Sequence, residues 1–155
     1  MVDTVTLPNA RTGFVGVGPG ANRQIVHATA VAELPTTQMQ TGDITWLMYV
    51  PAGAVVVDGY VATDILDSGS SLAYNIGSTA TTNLFFANTT TGITNAGSSA
   101  MTTLARYTKF ASATRLKLTV ATTAQTATAG TLIFGLSYFV DPELNVTTGV
   151  TPIAA

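Results

Sequence analysis

Residues 49–78 read YVPAGAVVVDGYVATDILDSGSSLAYNIGS, and this stretch decides the fold. One apolar run ends at the break 51–53, and a longer run occupies residues 55–66. Residues 67–70, Asp-Ser-Gly-Ser, have turn chemistry, because Asp and Ser bond their own backbone and Gly accepts a positive φ. Apolar residues then alternate with polar or small ones over 72–76. The segment therefore predicts two strands joined as a hairpin.

The two runs differ in their predicted burial. Residues 44–50, ITWLMYV, are apolar at nearly every position, which predicts a strand covered on both sides. The run 55–66 alternates, and Gly59 within it marks a bulge or a close backbone approach. We expect one face to carry Val55, Val57, Val61 and Ile65 and the other to carry Asp58, Tyr60 and Asp64.

The rest of the chain also favours strands. Further strand patterns cover residues 24–34, 107–111, 114–121 and 131–140, with Arg115 and Lys117 on the outward side of theirs. Residues 84–87 fit either a short strand or one helical turn, and 88–101 have the composition of a surface loop. No segment shows helical spacing of apolar residues. About seven or eight strands therefore predict an all-β fold, an antiparallel β-sandwich or jelly roll.

The length of 155 residues fits one domain. We assign the sandwich to residues 23–142. Residues 1–22, rich in Gly and Pro, are predicted to form an extended N-terminal arm, and 143–155 an extended C-terminal tail.

Charge is scarce in this sequence. Charged residues make up 9% of the chain, against about 25% in ordinary soluble domains. Such a neutral surface suggests burial against other subunits. A net charge of −2 and scattered Lys and Arg argue against direct nucleic-acid binding.

Targeting and redox features are also absent from the sequence. No apolar run is long enough to span a membrane, and the start MVDTVTLPNA does not resemble a secretion signal, so we expect synthesis in the cytosol. Zero cysteines exclude disulfides and thiol chemistry.

Candidate catalytic groups are few. His27 is the single histidine and has Asp43 and Asp58 as possible partners, but no nucleophile motif accompanies it, and we expect it to face solvent or a subunit interface. The glycines of GVGPG, residues 16–20, lack the following helix that a phosphate-binding loop needs.

The turn after the long strand offers a second candidate. Asp64 and Asp67, near this turn, could act as paired carboxylates of a glycosidase, or as calcium ligands together with Ser68 and Ser70. We favour a role in forming the turn. We therefore predict no catalytic, cofactor-binding or metal-ligating residue, and no enzymatic activity.

Two further patterns concern carbohydrate. The sequences at 88–90 and 145–147 match the N-glycosylation pattern, which a Thr-rich chain produces by chance. Aromatic rings that stack on sugars are a second possibility, although core packing is the default for residues in strand patterns. The rings in question are Trp46, Tyr49, Tyr60, Phe85, Phe86 and Tyr107.

Residues 44–142 resemble a known family. The pattern of apolar strand, PAG, apolar strand, Ser/Gly turn and YNIG, followed later by TAG and a last strand ending in aromatic-Val, is similar to small β-sandwich proteins of tailed bacteriophages. The nearest resemblance is to capsid decoration proteins, also called cement or head auxiliary proteins. Head fibres and tail-associated proteins contain similar segments.

The resemblance implies a virion structural protein, assembled in the host cytoplasm. It implies a homotrimer that sits on the outer capsid surface, contacts the major capsid protein and stabilises the head. A receptor- or carbohydrate-binding module of a head fibre or tail is the alternative function.

Overall fold

The computed structural model describes residues 24–141, which form eight strands and two short 3₁₀ turns. The strands are β1 Val26–Leu34, β2 Ile44–Val50, β3 Ala54–Thr63, β4 Ala73–Ser78, β5 Phe86–Thr89, β6 Gly97–Ala100, β7 Thr114–Thr122 and β8 Gly130–Val140. The 3₁₀ turns are Thr36–Gln38 and Thr103–Ala105. The predicted arms, 1–22 and 143–155, lie outside the described residues.

The strands form two antiparallel sheets. Sheet 1 has the order β1-β8-β3-β6, and sheet 2 has the order β2-β7-β4-β5. Among the strands of residues 24–141, only β4 and β5 are neighbours both in sequence and in a sheet, so the chain passes repeatedly from one sheet to the other. This arrangement of two four-stranded sheets is an eight-stranded jelly roll, and it confirms the predicted fold class.

Four of the six connections that cross between the sheets gather at one end of the sandwich, called here the crossover end. They are the β1–β2, β3–β4, β5–β6 and β7–β8 connections. Backbone hydrogen bonds join them: the Ala124 N–H donates to Met39 O over 3.0 Å, and the Leu66 N–H donates to Gly92 O over 2.8 Å. The four loops therefore support one another.

The core lies between the sheets and is lined by alternate residues of each strand. In β8 the buried apolar side chains are Leu132, Phe134 and Leu136, and in β7 they are Leu116, Leu118 and Val120. Phe134 of sheet 1 packs against Phe86 of sheet 2, with ring centroids 6.4 Å apart, and against Phe85 at 5.8 Å. Such a pair of aromatic contacts joins the two sheets across the centre of the core.

The predicted hairpin at residues 55–76 is wrong, because β3 lies in sheet 1 and β4 in sheet 2. The turn chemistry at residues 67–70 reverses the chain as expected, but the connection 64–72 also carries it across the sandwich. Leu66 and Leu72, on either side of the turn, are both buried in the core. Their burial holds the connection at the crossover end.

The predicted faces of β3 are partly wrong, because the strand contains a bulge. Val56 pairs with Tyr138 and Asp58 pairs with the adjacent Ser137, so Val57 is an extra residue. An extra residue exchanges the two faces of a strand. Val61 faces the core as predicted, whereas Val55 is buried outside the main core cluster.

The predicted double burial of residues 44–50 is also wrong. β2 is an edge strand, and it pairs only with β7 among the described strands. Leu47, Met48 and Val50 are buried, but Ile44 and Tyr49 are exposed on the outer face.

Short strands differ most from the sequence prediction. Residues 86–89 form β5, so the strand alternative for 84–87 is nearly right, while β6 lies inside the segment predicted as loop. The predicted strand 107–111 contributes only one bridge, Val55 to Lys109. Its backbone nevertheless follows β3, because Tyr107 N–H donates to Val56 O over 2.7 Å and Phe110 N–H donates to Ala54 O over 2.9 Å.

Candidate functional site

His27 lies on the exposed outer face of sheet 1, as predicted. Its Nδ1 is 2.7 Å from the hydroxyl oxygen of Ser137, the residue opposite it on β8. Asp58 is the next residue in this cross-strand row, beyond Ser137, and its Oδ1 accepts hydrogen bonds from Gly59 N–H and the Arg106 guanidinium. Ser137 therefore separates the Asp58 carboxylate from the His27 imidazole, and the carboxylate does not orient the ring.

Asp64 and Asp67 do not form a pair of free carboxylates. Asp64 is exposed, and its Oδ2 accepts a hydrogen bond from Thr131 N–H over 2.9 Å. Asp67 is 0% exposed. Ser68 and Ser70 direct their hydroxyls to Thr126 O and Gln125 Oε1, at 3.4 and 3.5 Å. This geometry does not support the glycosidase or the calcium interpretation of the turn.

The Asp67 carboxylate instead holds the crossover end together. Its two oxygens accept five backbone N–H groups: those of Gly69, Ser71 and Leu72 in its own turn and those of Gln125 and Thr126 in the β7–β8 connection, at 2.8 to 3.2 Å. Burial opposes ionisation of the group, but the N–H donors of Thr126, Gly69, Leu72 and Gln125 outweigh it and lower the pKa of Asp67 to about 2. The predicted turn-forming role is confirmed and extends to a second loop.

The aromatic residues divide into two groups. Phe85 and Phe86 are buried in the core, so the expectation of core packing is right for them. It is wrong for Tyr49, Tyr60 and Tyr107, which are 62%, 46% and 75% exposed. Three aromatic rings are therefore available on the outer surface of the sandwich.

Two of the aromatic side chains belong to one surface on sheet 2, which we call the β2–β7 patch: Ile44, Trp46, Tyr49, Arg115 and Lys117. Its geometry depends on a bulge in β2. Trp46 pairs with Lys117, Met48 pairs with Leu116, and Leu47 is the extra residue between them. Because of this extra residue, Trp46 and Tyr49, which are three positions apart in sequence, share the outer face of sheet 2.

Arg115 lies between the two rings of the patch. Its guanidinium carbon is 4.2 Å from the centroid of the Trp46 ring and 5.5 Å from that of Tyr49. These are cation–π distances, which fix the plane of the guanidinium without consuming its N–H donors. The alternation of residues 114–121 predicted Arg115 and Lys117 on the outward side of β7. No sequence pattern predicted the bulge that brings Trp46 and Tyr49 beside them.

The outer face of sheet 1 has a different character. Two cross-strand rows at its centre carry no ionisable group except the Tyr60 phenol, namely Thr29-Gly135-Tyr60-Ala100 and Val31-Ile133-Ala62-Ser98. The Tyr60 ring covers Gly135, where a side chain would overlap it. Glu33 lies beyond one end of these rows, and Asp58 beyond the other. This face is neutral at its centre, with the Glu33 carboxylate at one end and the Asp58–Arg106 ion pair at the other.

Tyr107 is exposed on a strained backbone. Its φ is 64°, in the left-handed region that a bulky residue rarely adopts. Arg106 beside it pairs with Asp58 at 3.2 Å, and both side chains are largely exposed. These contacts hold the segment that follows β6 against the edge of β3.

The other sequence candidates either lie outside the described residues or have no second functional group near them. The glycine segment 16–20 and the pattern at 145–147 lie outside residues 24–141. Asn88 of the pattern at 88–90 is exposed in β5. In the described part of the chain, no group of three or more His, Cys, Asp or Glu side chains is placed to hold a metal ion, and no helix is long and apolar enough to cross a membrane.

Comparison with known proteins gives matches by structure. No protein-family model matches the sequence, and no curated protein matches it. A chain of the cyanophage Pam1 capsid asymmetric unit superposes with a TM-score of 0.68 at 18% identity, over 88% of this chain and 99% of that one.

Two more capsid chains are similar. One, from the capsid of Ralstonia phage GP4, has a TM-score of 0.65 at 24% identity and covers 79% of this chain and 88% of its own. The other, from the acid-stable capsid of Helicobacter pylori bacteriophage KHP30, has a TM-score of 0.53 at 17% identity and covers 76% and 92%. The jelly roll described above is thus a fold that this chain shares with chains of three phage capsids.

Proposed function

We propose that this chain is a structural protein of a bacteriophage virion, a decoration or cement protein that binds the outer capsid surface as a homotrimer and stabilises the head. The observation that carries the proposal is the superposition on 99% of a chain in the Pam1 capsid asymmetric unit. The similarity thus extends over the whole of a capsid chain rather than over one motif of it. Its partner in this function is the major capsid protein.

The surface of the molecule supports an assembly role. The centre of the outer face of sheet 1 is made of small, neutral and aliphatic residues, with Val31 and Tyr60 exposed on it. Protein interfaces of standard size, about 1,600 Å², form without ion pairs when such surfaces are complementary. A stiff sandwich with such a neutral area on sheet 1 can therefore pack against neighbouring subunits of an assembly.

The chemistry of the described residues supports a role without catalysis. Asp67 has both oxygens engaged by backbone donors, and His27 faces solvent with Ser137 as its hydrogen-bond partner. Neither group lies beside a second one that would complete an acid–base pair.

Reconstitution tests this function. Purified protein is mixed with capsids that lack a decoration layer, and the bound fraction is measured by co-sedimentation. We expect saturable binding and a higher temperature of DNA release from the decorated capsids. Absence of binding, or binding without any gain in heat resistance, contradicts the proposal.

A second candidate is a receptor- or carbohydrate-binding module of a head fibre or tail. It is favoured by the exposed Tyr49 and the adjacent Trp46, since exposed aromatic rings stack on sugars. A glycan array separates the two candidates: binding to one defined glycan that is lost in Tyr49→Ala supports the module, and a blank array supports the decoration protein.

A further inference from the structure

The β2–β7 patch contains the cations that the described chain leaves unpaired. Residues 24–141 include four basic side chains, Arg106, Lys109, Arg115 and Lys117. Arg106 pairs with Asp58 and Lys109 pairs with Asp141. The ion pairs of this part of the chain include neither Arg115 nor Lys117, and both project from the outer face of β7.

The Arg115 side chain is oriented for an incoming ligand. The rings of Trp46 and Tyr49 hold its guanidinium at 4.2 and 5.5 Å, so part of the side-chain entropy is already lost before any partner arrives. A guanidinium stacked in this way keeps its fork of N–H donors, which matches the two oxygens of a carboxylate.

The residues around Arg115 are those that dominate protein interfaces. Trp, Tyr and Arg are enriched among residues whose truncation weakens binding most. Here one of each is clustered, with the exposed Ile44 on the same strand adding apolar area. The patch therefore has both an apolar part and an unpaired positive charge.

We infer that the β2–β7 patch is the surface with which this protein binds a carboxylate-bearing surface of the capsid shell. Arg115 receives an Asp or Glu side chain of the shell in a bidentate contact, Lys117 adds a second charge contact, and Tyr49 and Ile44 pack around them. This inference rests on the proposed function, and it names the binding surface and the chemistry of the partner.

A second copy of the chain is the other candidate occupant, and symmetry disfavours it. Among the described residues, the exposed acidic side chains outside ion pairs are Glu33 and Asp64, both at sheet 1 on the opposite side of the sandwich. Asp43, which precedes Ile44, is half-buried, and its Oδ2 accepts a hydrogen bond from Gln40 N–H. Heterologous contacts form a ring only if the rotation between copies closes it, and contacts between faces that point in opposite directions do not close a ring of three but produce a filament. A closed trimer therefore leaves the patch free for the shell.

The test compares variants in the capsid-binding experiment with full-length protein. We expect Arg115→Gln to weaken binding about 30-fold and Tyr49→Ala about tenfold, as for residues at the centre of an interface. Arg115→Lys keeps the charge but loses the planar fork, so it should also weaken binding about tenfold. Matched controls outside the patch are Glu33→Gln and Asp64→Asn, both expected within about twofold of wild type.

The outcomes separate this inference from the proposed function. If wild type binds capsids and all patch variants bind equally well, the function stands and the assigned surface is wrong. If wild type does not bind, both are wrong. Circular dichroism and thermal melting show whether each variant is folded, and Arg115→Lys provides a second measurement should Arg115→Gln fail to fold.

Crosslinking identifies the occupant directly. A water-soluble carbodiimide joins a lysine amine to a carboxylate in contact with it as an amide, and mass spectrometry identifies the two residues. We expect Lys117 of the bound protein to be joined to an Asp or Glu of the shell, and Lys117→Gln to abolish that product. A crosslink from Lys117 to Glu33 or Asp64 of another copy would overturn the inference in favour of self-association.

Discussion

At the scale of single residues, Asp67 has the largest structural effect. It is a buried charge without a cationic partner, which is unfavourable unless hydrogen bonds replace the lost water. Five backbone N–H groups from two loops provide that replacement. The side chain therefore organises its own turn and attaches the β7–β8 connection to it.

Replacing Asp67 by Asn should destabilise the fold strongly. The amide offers one acceptor oxygen and turns an NH₂ group toward N–H donors, which leaves buried donors unsatisfied. We expect a loss of about 3 kcal/mol in the free energy of unfolding, measured by urea denaturation at constant protein concentration. Asp64→Asn is the matched control, since Asp64 is exposed and accepts one backbone bond, and it should cost less than about 1 kcal/mol.

Acid should act through the same residue. The pKa of Asp67 is about 2 in the folded chain against an ordinary value of 3.8, so the unfolded chain takes up the proton first as the pH falls. Asp67 therefore contributes stability that is complete above about pH 5 and is lost as the pH falls toward about 2. Urea midpoints measured from pH 6 to pH 2 should fall less in Asp67→Asn than in wild type. An equal fall in both would show that other carboxyl groups cause the acid sensitivity.

At the scale of elements, bulges decide which side chains face outward. Val57 in β3 and Leu47 in β2 each add one residue to a strand. The bulge in β3 exchanges the faces of the long central strand, and the bulge in β2 brings Trp46 and Tyr49 to the same side of sheet 2. Both bulges lie in apolar runs, where alternation of residue type is weakest.

Gly77 in β4 has a specific packing role. A Cβ at this position would overlap backbone atoms of Thr81 and Thr82, because the β4–β5 connection folds closely over the strand. We expect Gly77→Ala to lower the free energy of unfolding by about 3 kcal/mol. The overlapping atoms belong to the backbone, which cannot move aside by a change of rotamer as a side chain can. Gly97→Ala is the control: its Cβ would make an ordinary contact, 3.5 Å from Thr91 Cγ2, and the change should be within about 0.5 kcal/mol. Similar melting temperatures for the two variants would contradict this account.

The sequence predicted the elements that have a strong local pattern. Strands β1, β7 and β8 alternate clearly, and their predicted ranges lie close to the observed ones. β6, with the sequence GSSA, has no apolar pattern and exists because it pairs with Tyr60–Thr63 of β3. The hairpin error has a similar cause, since turn residues at 67–70 specify a reversal but contain no information about which sheet receives the next strand. The β2–β7 patch required two further facts that are tertiary, the edge position of β2 and its bulge.

At the scale of the whole molecule, two features act together: an interlocked jelly roll and a surface with little charge. With 9% charged residues, few interactions between copies can depend on ion pairs. The proposed homotrimer must then form mainly through apolar and hydrogen-bonding contacts, which salt screens weakly.

The mass in solution tests this view. Light scattering coupled to size exclusion should give three times the chain mass of 15.9 kDa. The value should be the same at about 0.05 M and about 1 M NaCl, because screening acts on charges and not on apolar contacts. A monomer at both salt concentrations would contradict the trimer, and dissociation at high salt would contradict its apolar character.

The bonds that Asp67 makes to Gln125 and Thr126 join residues 58 and 59 positions apart in the chain. Contacts between residues this distant in sequence form late in folding, so their loss mainly raises the rate of unfolding. In stopped-flow experiments Asp67→Asn should therefore unfold many times faster than wild type while refolding at nearly the same rate. A subunit that unfolds this slowly would, in the proposed decoration role, keep its folded shape for as long as it stays on the particle.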